Sequence, residues 1–212
     1  MDFEVARSNM IEQQIRPWNV LEIQTLEALG TVRREDFVPE QYRNLAFADT
    51  QIPIGHDEVM LEPKIGARLV ESLSLNGSSK VLQIGCGTGY ITALLASICE
   101  HVTALEIVPE FCETAKRNLA MASFSNVEIV QGDCFEFNQD PDYDGVLVTG
   151  SVAALGPCFS ALIAEGGKLA GVQGHDPVME AVVISRGGNE ESLFETSVPR
   201  LKNAVETRTF EF

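Results

Sequence analysis

Hydrophobic positions divide the chain into two unlike parts. Over residues 1 to about 80 they recur at helical spacing, from Phe3 to Arg16, from Leu21 to Leu29 and from Lys64 to Leu73, where Ile65, Leu69, Val70 and Leu73 share one side. No strong strand interrupts them. Between the second and third lies FVPEQYRNLAFADTQIPIGHDEVMLEP, with prolines at 39, 53 and 63, which predicts an irregular covering segment long enough to be functional. From Val81 onward short apolar runs alternate with helical patterns. A strand at VLQI precedes a helix over Ile91–Ser97, strand HVTALEI and a helix opened by Pro109 with Phe111, Ala115 and Leu119 on its buried face. Strand VEIVQGD, the acidic turn QDPDYD, strand GVLVTG, a helix from about Ala153 to Ala164, the turn EGG and strand KLAGVQG follow. Last, MEAVVISRGGNEESLFETSVPRL reads as two strands around Arg186-Gly187-Gly188-Asn189. The alternation predicts an α/β fold: a doubly wound, mostly parallel, seven-stranded Rossmann-like sheet with an antiparallel C-terminal hairpin. Residues 1–80 form its helical, substrate-covering extension and residues 81–212 its ligand-binding core, in one compact unit.

The candidate chemistry starts where the first core strand ends, in VLQIGCGTGY. Gly85, Gly87 and Gly89 let a backbone pass close to a ligand, and the helix that follows offers free N–H groups. Dinucleotides and S-adenosylmethionine both use such a turn. The dinucleotide fingerprint is Gly-x-Gly-x-x-Gly, whereas here Tyr90 stands at the last glycine position and the pattern is Gly-x-Gly-x-Gly. Glu106 ends the second strand, 17 residues past Gly89, where a carboxylate can accept from both ribose hydroxyls of either cofactor. Asp133, at the end of the third strand, stands where an adenine amino group would be read; taken alone it is a turn or helix-capping residue. The three features at successive strand ends favour S-adenosylmethionine, with S-adenosylhomocysteine as product.

Composition narrows the partners. Fifteen Lys and Arg against 31 Asp and Glu give a formal charge of -16, which repels a phosphate backbone, so nucleic acid is not expected as substrate. No run approaches a membrane span and MDFEVARSNM lacks the apolar stretch of a secretion signal, so a cytoplasmic protein without a membrane partner is expected. Five cysteines without a Cys-x-x-Cys pair and three dispersed histidines indicate neither disulfides nor a metal site.

The segments MIEQQIR, RREDFVP, AFADTQIPIG, VLQIGCGTGY, VQGDCF and YDGVLVTG, in this order over nearly the whole chain, resemble the protein-L-isoaspartate O-methyltransferases. The resemblance implies a class I methyltransferase sheet and methylation of the isoaspartyl carboxylate in damaged proteins. It also implies site roles: Gly85, Gly87 and Gly89 along the methionine and ribose, with Cys86, Thr88 and Tyr90 in the same turn. Glu106 with Ile107 then serves the ribose, and Asp133 with Cys134 the adenine. The family usually carries an acid where Gln83 stands and a glycine where Cys134 stands. After Pro-Ile-Gly its pattern runs toward Gly-Gln-Thr-Ile-Ser-x-Pro, whereas this chain reads HDEVMLEP, so Val59 and Leu61 replace the hydroxyl residues and Asp57 and Glu58 add negative charge. That departure raises a second expectation, a small-molecule acceptor on the same scaffold; a third is cofactor binding without turnover. Lys64 and Arg68 would offset the acids if they pointed inward, although a solvated helix face suits them better. His56 would be the base if the acceptor were a hydroxyl. A carboxylate acceptor needs none.

Overall fold

The computed structural model describes residues 2–137 and 142–204. Chain order begins with α1 (Phe3–Met10), capped by Asp2, whose carboxylate accepts from the N–H groups of Glu4 and Val5 at 3.1 and 3.2 Å. The helical pattern through Arg16 continues as a wide π turn over Ile11–Ile15 and tightens to a 3-10 turn over Arg16–Trp18, where Pro17 has no N–H to give. Trp18 meets Phe194 edge to face at 5.3 Å and so ties this extension to the far sheet edge. The second helix, α2, spans Ile23–Thr31, two residues later than its apolar pattern.

The proline-rich segment is less irregular than its composition suggests. Two 3-10 turns, Arg34–Asp36 and Glu40–Leu45, lead to a hairpin of β1 (Ile52–Gly55) and β2 (Glu58–Met60), which the sequence reading missed. Its two-residue turn is His56-Asp57, both left-handed at φ 53° and 61°. Such turns are signalled by Asn-Gly or Asp-Gly, so this one left no signature. Next, α3 (Pro63–Ser72) buries Ile65, Leu69 and Val70.

The core follows as β3 (Lys80–Ile84), α4 (Tyr90–Ile98), β4 (His101–Glu106), α5 (Pro109–Met121), β5 (Val127–Gln131), β6 (Tyr143–Val152), α6 (Pro157–Ser160), β7 (Ile163–His175), β8 (Val178–Ser185) and β9 (Glu190–Thr196). The strands form one seven-stranded sheet in the order β5-β4-β3-β6-β7-β8-β9, parallel from β5 to β7 and antiparallel at β8 and β9. Val81, Val102, Leu147 and Ala170 pack on one face; Leu82, Leu105, Val146 and Leu169 pack on the other. Strand order reverses between β3 and β6, which opens a crevice at their carboxyl ends.

Two expectations fail between β6 and β7. The helix predicted from Ala153 to Ala164 is only α6, because Gly156-Pro157 breaks the first half and Leu155 N–H is held by Gln173 Oε1 at 3.1 Å. The EGG turn is a bulge inside β7: Tyr143 pairs with Ile163 and Gly145 with Lys168, so three extra residues are accommodated there. A Cβ on Gly167 would lie 2.6 Å from Ile163 Cγ2 and 2.9 Å from two β6 carbonyl oxygens. The first half of the QDPDYD turn, residues 139–141, lies outside the described residues, and its last two residues open β6. Among the described residues no helix is long and apolar enough to cross a membrane.

Candidate functional site

The three glycines of the β3–α4 turn are all left-handed, at φ 83°, 52° and 92°, and they do different things. A Cβ on Gly85 would lie 2.9 Å from Thr149 Oγ1, and one on Gly87 3.0 Å from Ile54 Cδ1. Gly89 faces Ala115 of α5 at 3.3 Å, so its missing side chain lets that helix pack closely against the turn. The turn is held from beneath. Gln83, 1% exposed, donates to Gly85 O at 3.2 Å and accepts from the Thr92 hydroxyl at 2.7 Å. The amide here does what an ionised carboxylate cannot, because a carboxylate has no proton to donate to that carbonyl, which also accepts from the Thr149 hydroxyl.

Glu106, at the carboxyl end of β4, is 5% exposed, and its two oxygens accept from Gly87 N–H at 2.9 Å and Val108 N–H at 3.0 Å. The turn therefore presents a carboxylate where a phosphate-binding loop would present free amides. A pyrophosphate would meet that negative charge, whereas vicinal hydroxyls could donate to it. The chemistry of this donor set fits an uncharged ribose, as in S-adenosylmethionine, better than a dinucleotide.

Gly85, Gly87, Glu106, Ile107, Asp133 and Cys134 line one cleft of about 680 Å³ at the crevice. Cys86, Thr88 and Tyr90 line an adjoining cavity of about 350 Å³, and Val59 and Leu61 border both. Of the candidate cofactor, acceptor and base residues singled out from sequence, all but Gly89 and His56 thus line these two cavities. At the far end Asp133 Oδ1 accepts from Phe135 N–H at 2.9 Å and Oδ2 from Asn203 Nδ2 at 2.8 Å. Beside it the Cys134 thiol is pushed up to about 12, by burial first and by the Asp133 charge second, and stays protonated at neutral pH.

The opposite wall is the β1–β2 hairpin. Leu61, just beyond β2, is buried, and its backbone is fixed by a cation: Arg34 Nη2 donates to Leu61 O and Nε to Ala46 O, both at 2.7 Å. Arg34 is itself buried and stacks on the Tyr90 ring at 4.6 Å, so it joins the hairpin side to the first residue of α4. Burial lowers its pKa, against the pull of Tyr90 and Glu62. His56 packs edge-on against Phe111 at 5.3 Å, and its nearest carboxylate, Glu110, stands at 3.9 Å, beyond hydrogen-bond reach.

Lys64 and Arg68 do not turn into the site. Lys64 pairs with Asp49 at 2.6 Å over the Trp18 ring, and Arg68 approaches Asn19 O at 3.4 Å. Among the described residues the cations lining the cleft are Arg200 and Lys202, from a C-terminal segment to which sequence reasoning gave no site role. Its only sequence signal is Pro199 after β9; nothing local to PRLKN points to residues more than 60 positions away.

Comparison with known proteins places this geometry. The sequence model of the family described as protein-L-isoaspartate(D-aspartate) O-methyltransferase matches residues 5–195. A Rhodopseudomonas palustris protein named protein-L-isoaspartate O-methyltransferase 1 is 35% identical over 182 residues, 85% of this chain and 74% of its own. Protein-L-isoaspartate O-methyltransferase 2 of an Anaeromyxobacter is 31% identical over 90% of this chain and 80% of its own. Among solved structures, a Plasmodium falciparum chain described as a protein-L-isoaspartate O-methyltransferase in complex with S-adenosyl-L-homocysteine superposes with a TM-score of 0.79. It covers 95% of this chain and 99% of that one at 19% identity, a likeness of fold.

Proposed function

The chain belongs to the protein-L-isoaspartate(D-aspartate) O-methyltransferase family, and from that premise we propose that it transfers the methyl group of S-adenosylmethionine to the free carboxylate of isoaspartyl residues in proteins and peptides. The observation that carries the site assignment is the placement of two carboxylates, Glu106 and Asp133, in one cleft below a glycine turn that has no free phosphate cradle. Glu106 takes the ribose hydroxyls, Asp133 with Cys134 the adenine end, and Gly85 and Gly87, which line the cleft with their backbone, the methionine part. When bound, the cofactor supplies an electrophilic methyl group on a positively charged sulfur.

The acceptor carboxylate has an ordinary pKa near ~4 and is ionised at neutral pH, so the chain need not hold a base. Its work is to orient the carboxylate and to exclude water from it. Val59 and Leu61 do the second. Transfer joins an anion to a cation and leaves two neutral products, so an apolar wall disfavours the separated charges more than the transition state in which they are fading. Loss of the family's hydroxyls removes hydrogen bonds that would orient the acceptor, while this desolvation remains.

The same apolar wall supports a second reading, in which the acceptor is a small molecule. One experiment separates the two: mass-spectrometric detection of methyl transfer to an isoaspartyl peptide, with the aspartyl peptide as control and S-adenosylhomocysteine binding checked in the same preparation. Isoaspartyl-selective methylation is the expected result. Binding of S-adenosylhomocysteine without peptide methylation would overturn the peptide acceptor in favour of the small one.

A further inference from the structure

The cleft is closed on one side by a segment that none of the comparisons assigns a role. After β9 the chain returns across the carboxyl end of β6 and is rooted there by its backbone. Ser151 N–H donates to Pro199 O at 2.8 Å, Leu201 N–H to Ser151 O at 2.9 Å, and the Ser151 hydroxyl to Val198 O at 3.0 Å. The Leu201 side chain lies over Gly150, where a Cβ would come within 2.8 Å of it, and near Gly85 at 3.7 Å. Only a glycine pair lets it sit so low over the cofactor turn.

Beyond Leu201 the attachment changes kind. Ala204 N–H closes a β-turn onto Leu201 O at 3.1 Å, with Asn203 in its third position at φ 63°, a conformation Asn tolerates. From this turn two side chains reach across the cleft in different directions. Lys202 Nζ meets Glu58 Oε1 of β2 at 3.0 Å and donates to His56 O at 3.1 Å. Asn203 Nδ2 donates to Asp133 Oδ2 at 2.8 Å. The segment thus spans from the acceptor-side hairpin to the adenine-side aspartate. Its root is a backbone ladder, whereas its far end is held by side-chain bonds of half-exposed groups, which are weak enough to open and close.

Lys202 invites another role, as the cation that receives the acceptor carboxylate. The chemistry argues against it: a cation at the reacting oxygens would stabilise the anion that must be consumed, and Glu58 already neutralises this one.

We propose that residues 199–203 are a strap across the cofactor cleft, and that Lys202 and Asn203 are positioning residues that latch it, to Glu58 and His56 on one side and to Asp133 on the other. The strap rests on the cleft being the S-adenosylmethionine site. Cofactor and product pass only when the latch opens, and closing it aligns the β1–β2 hairpin with the glycine turn.

A latch and an ordinary contact differ in kinetics. Loss of a contact speeds dissociation alone; loss of a latch speeds association and dissociation together and leaves affinity nearly constant. The experiment is surface plasmon resonance of S-adenosylhomocysteine on the immobilised full chain, for the wild type, Lys202→Met, Glu58→Gln, their double variant and Asn203→Ala. Lys202→Met and Glu58→Gln are each expected to raise both rate constants roughly three- to fivefold, as befits one half-exposed ion pair. The double variant is expected to add little to either, and Asn203→Ala to move both rates the same way. Melting temperature checks that each variant is folded. A rise in dissociation rate alone, or no change in either rate, would overturn the latch. If the rates move as stated while isoaspartyl peptides go unmethylated, the strap stands and the acceptor reading falls; a wild type that does not bind S-adenosylhomocysteine overturns both.

Discussion

Glu106 carries more than one duty. Its carboxylate accepts two backbone N–H groups in a nearly buried position, and as the proposed ribose ligand it would accept two hydroxyls besides. Glu106→Ala leaves the amides of Gly87 and Val108 unpaired and removes the ribose partner, at a cost of about 1–3 kcal/mol. S-adenosylhomocysteine affinity measured by titration calorimetry should therefore fall by roughly fivefold to 150-fold. His56 is the contrary case. Its ring leans on Phe111 and no carboxylate orients it, so His56→Asn, which keeps a left-handed turn residue, should alter kcat for a carboxylate acceptor by less than about threefold and leave the pH–rate profile unmoved. A collapse of rate at low pH only in the wild type would identify a base and with it a hydroxyl acceptor. Glu106 and Asp133 could be placed together because one ends β4 and the other lies two residues past β5, and strand ends of a parallel sheet converge at one edge. The spacing of Gly89 does not show that α5 lies against its missing Cβ, because that contact crosses 26 residues of chain. Asn203 was invisible because its contact with Asp133 crosses 70 residues of chain.

Long, periodic elements were legible and short ones were not. β3, β4, β5 and β6 announce themselves by apolar runs, but the β1–β2 hairpin has four and three residues and a turn without glycine at its two central positions, and α6 is a single turn. What makes the hairpin dependable is tertiary. Arg34 grips Leu61 O and Ala46 O from inside the protein and presses on Tyr90, so one buried cation sets the distance between the hairpin wall of the cleft and α4. Arg34→Lys keeps the charge and loses the fork, so that one carbonyl goes unpaired and the stacking on Tyr90 is lost. A destabilisation of about 2–3 kcal/mol should follow, seen as a drop in Tm of roughly 5–10 °C by differential scanning calorimetry. If the drop is below about 2 °C, Leu61 is held by β2 alone and Arg34 does not position the wall.

At the scale of the whole molecule the formal charge of -16 sets the field in which any acceptor arrives. An isoaspartyl residue carries its own free carboxylate, so long-range repulsion opposes the encounter, and only the flanking residues of the peptide can reverse that sign. The local cations offset little of the repulsion: Lys202 is spent on Glu58, and Arg200, which reaches Gly174 O and His175 Nδ1, is one guanidinium against a net charge of -16. Peptides of equal length with lysine flanks should therefore show higher kcat/KM than those with glutamate flanks, with the difference carried by association and not by kcat. Screening supplies the control. The Debye length contracts from ~30 Å at ~0.01 M salt to ~8 Å at physiological ionic strength, shorter than the reach of a whole-molecule field but longer than any contact in the cleft. The ratio of kcat/KM between the two peptides should thus shrink steeply as salt is raised over that range. A ratio that persists would mean that the flanks bind in local contacts beside the cleft; one near unity at low salt would mean that the acidic residues lie too far from the cleft mouth to steer the acceptor.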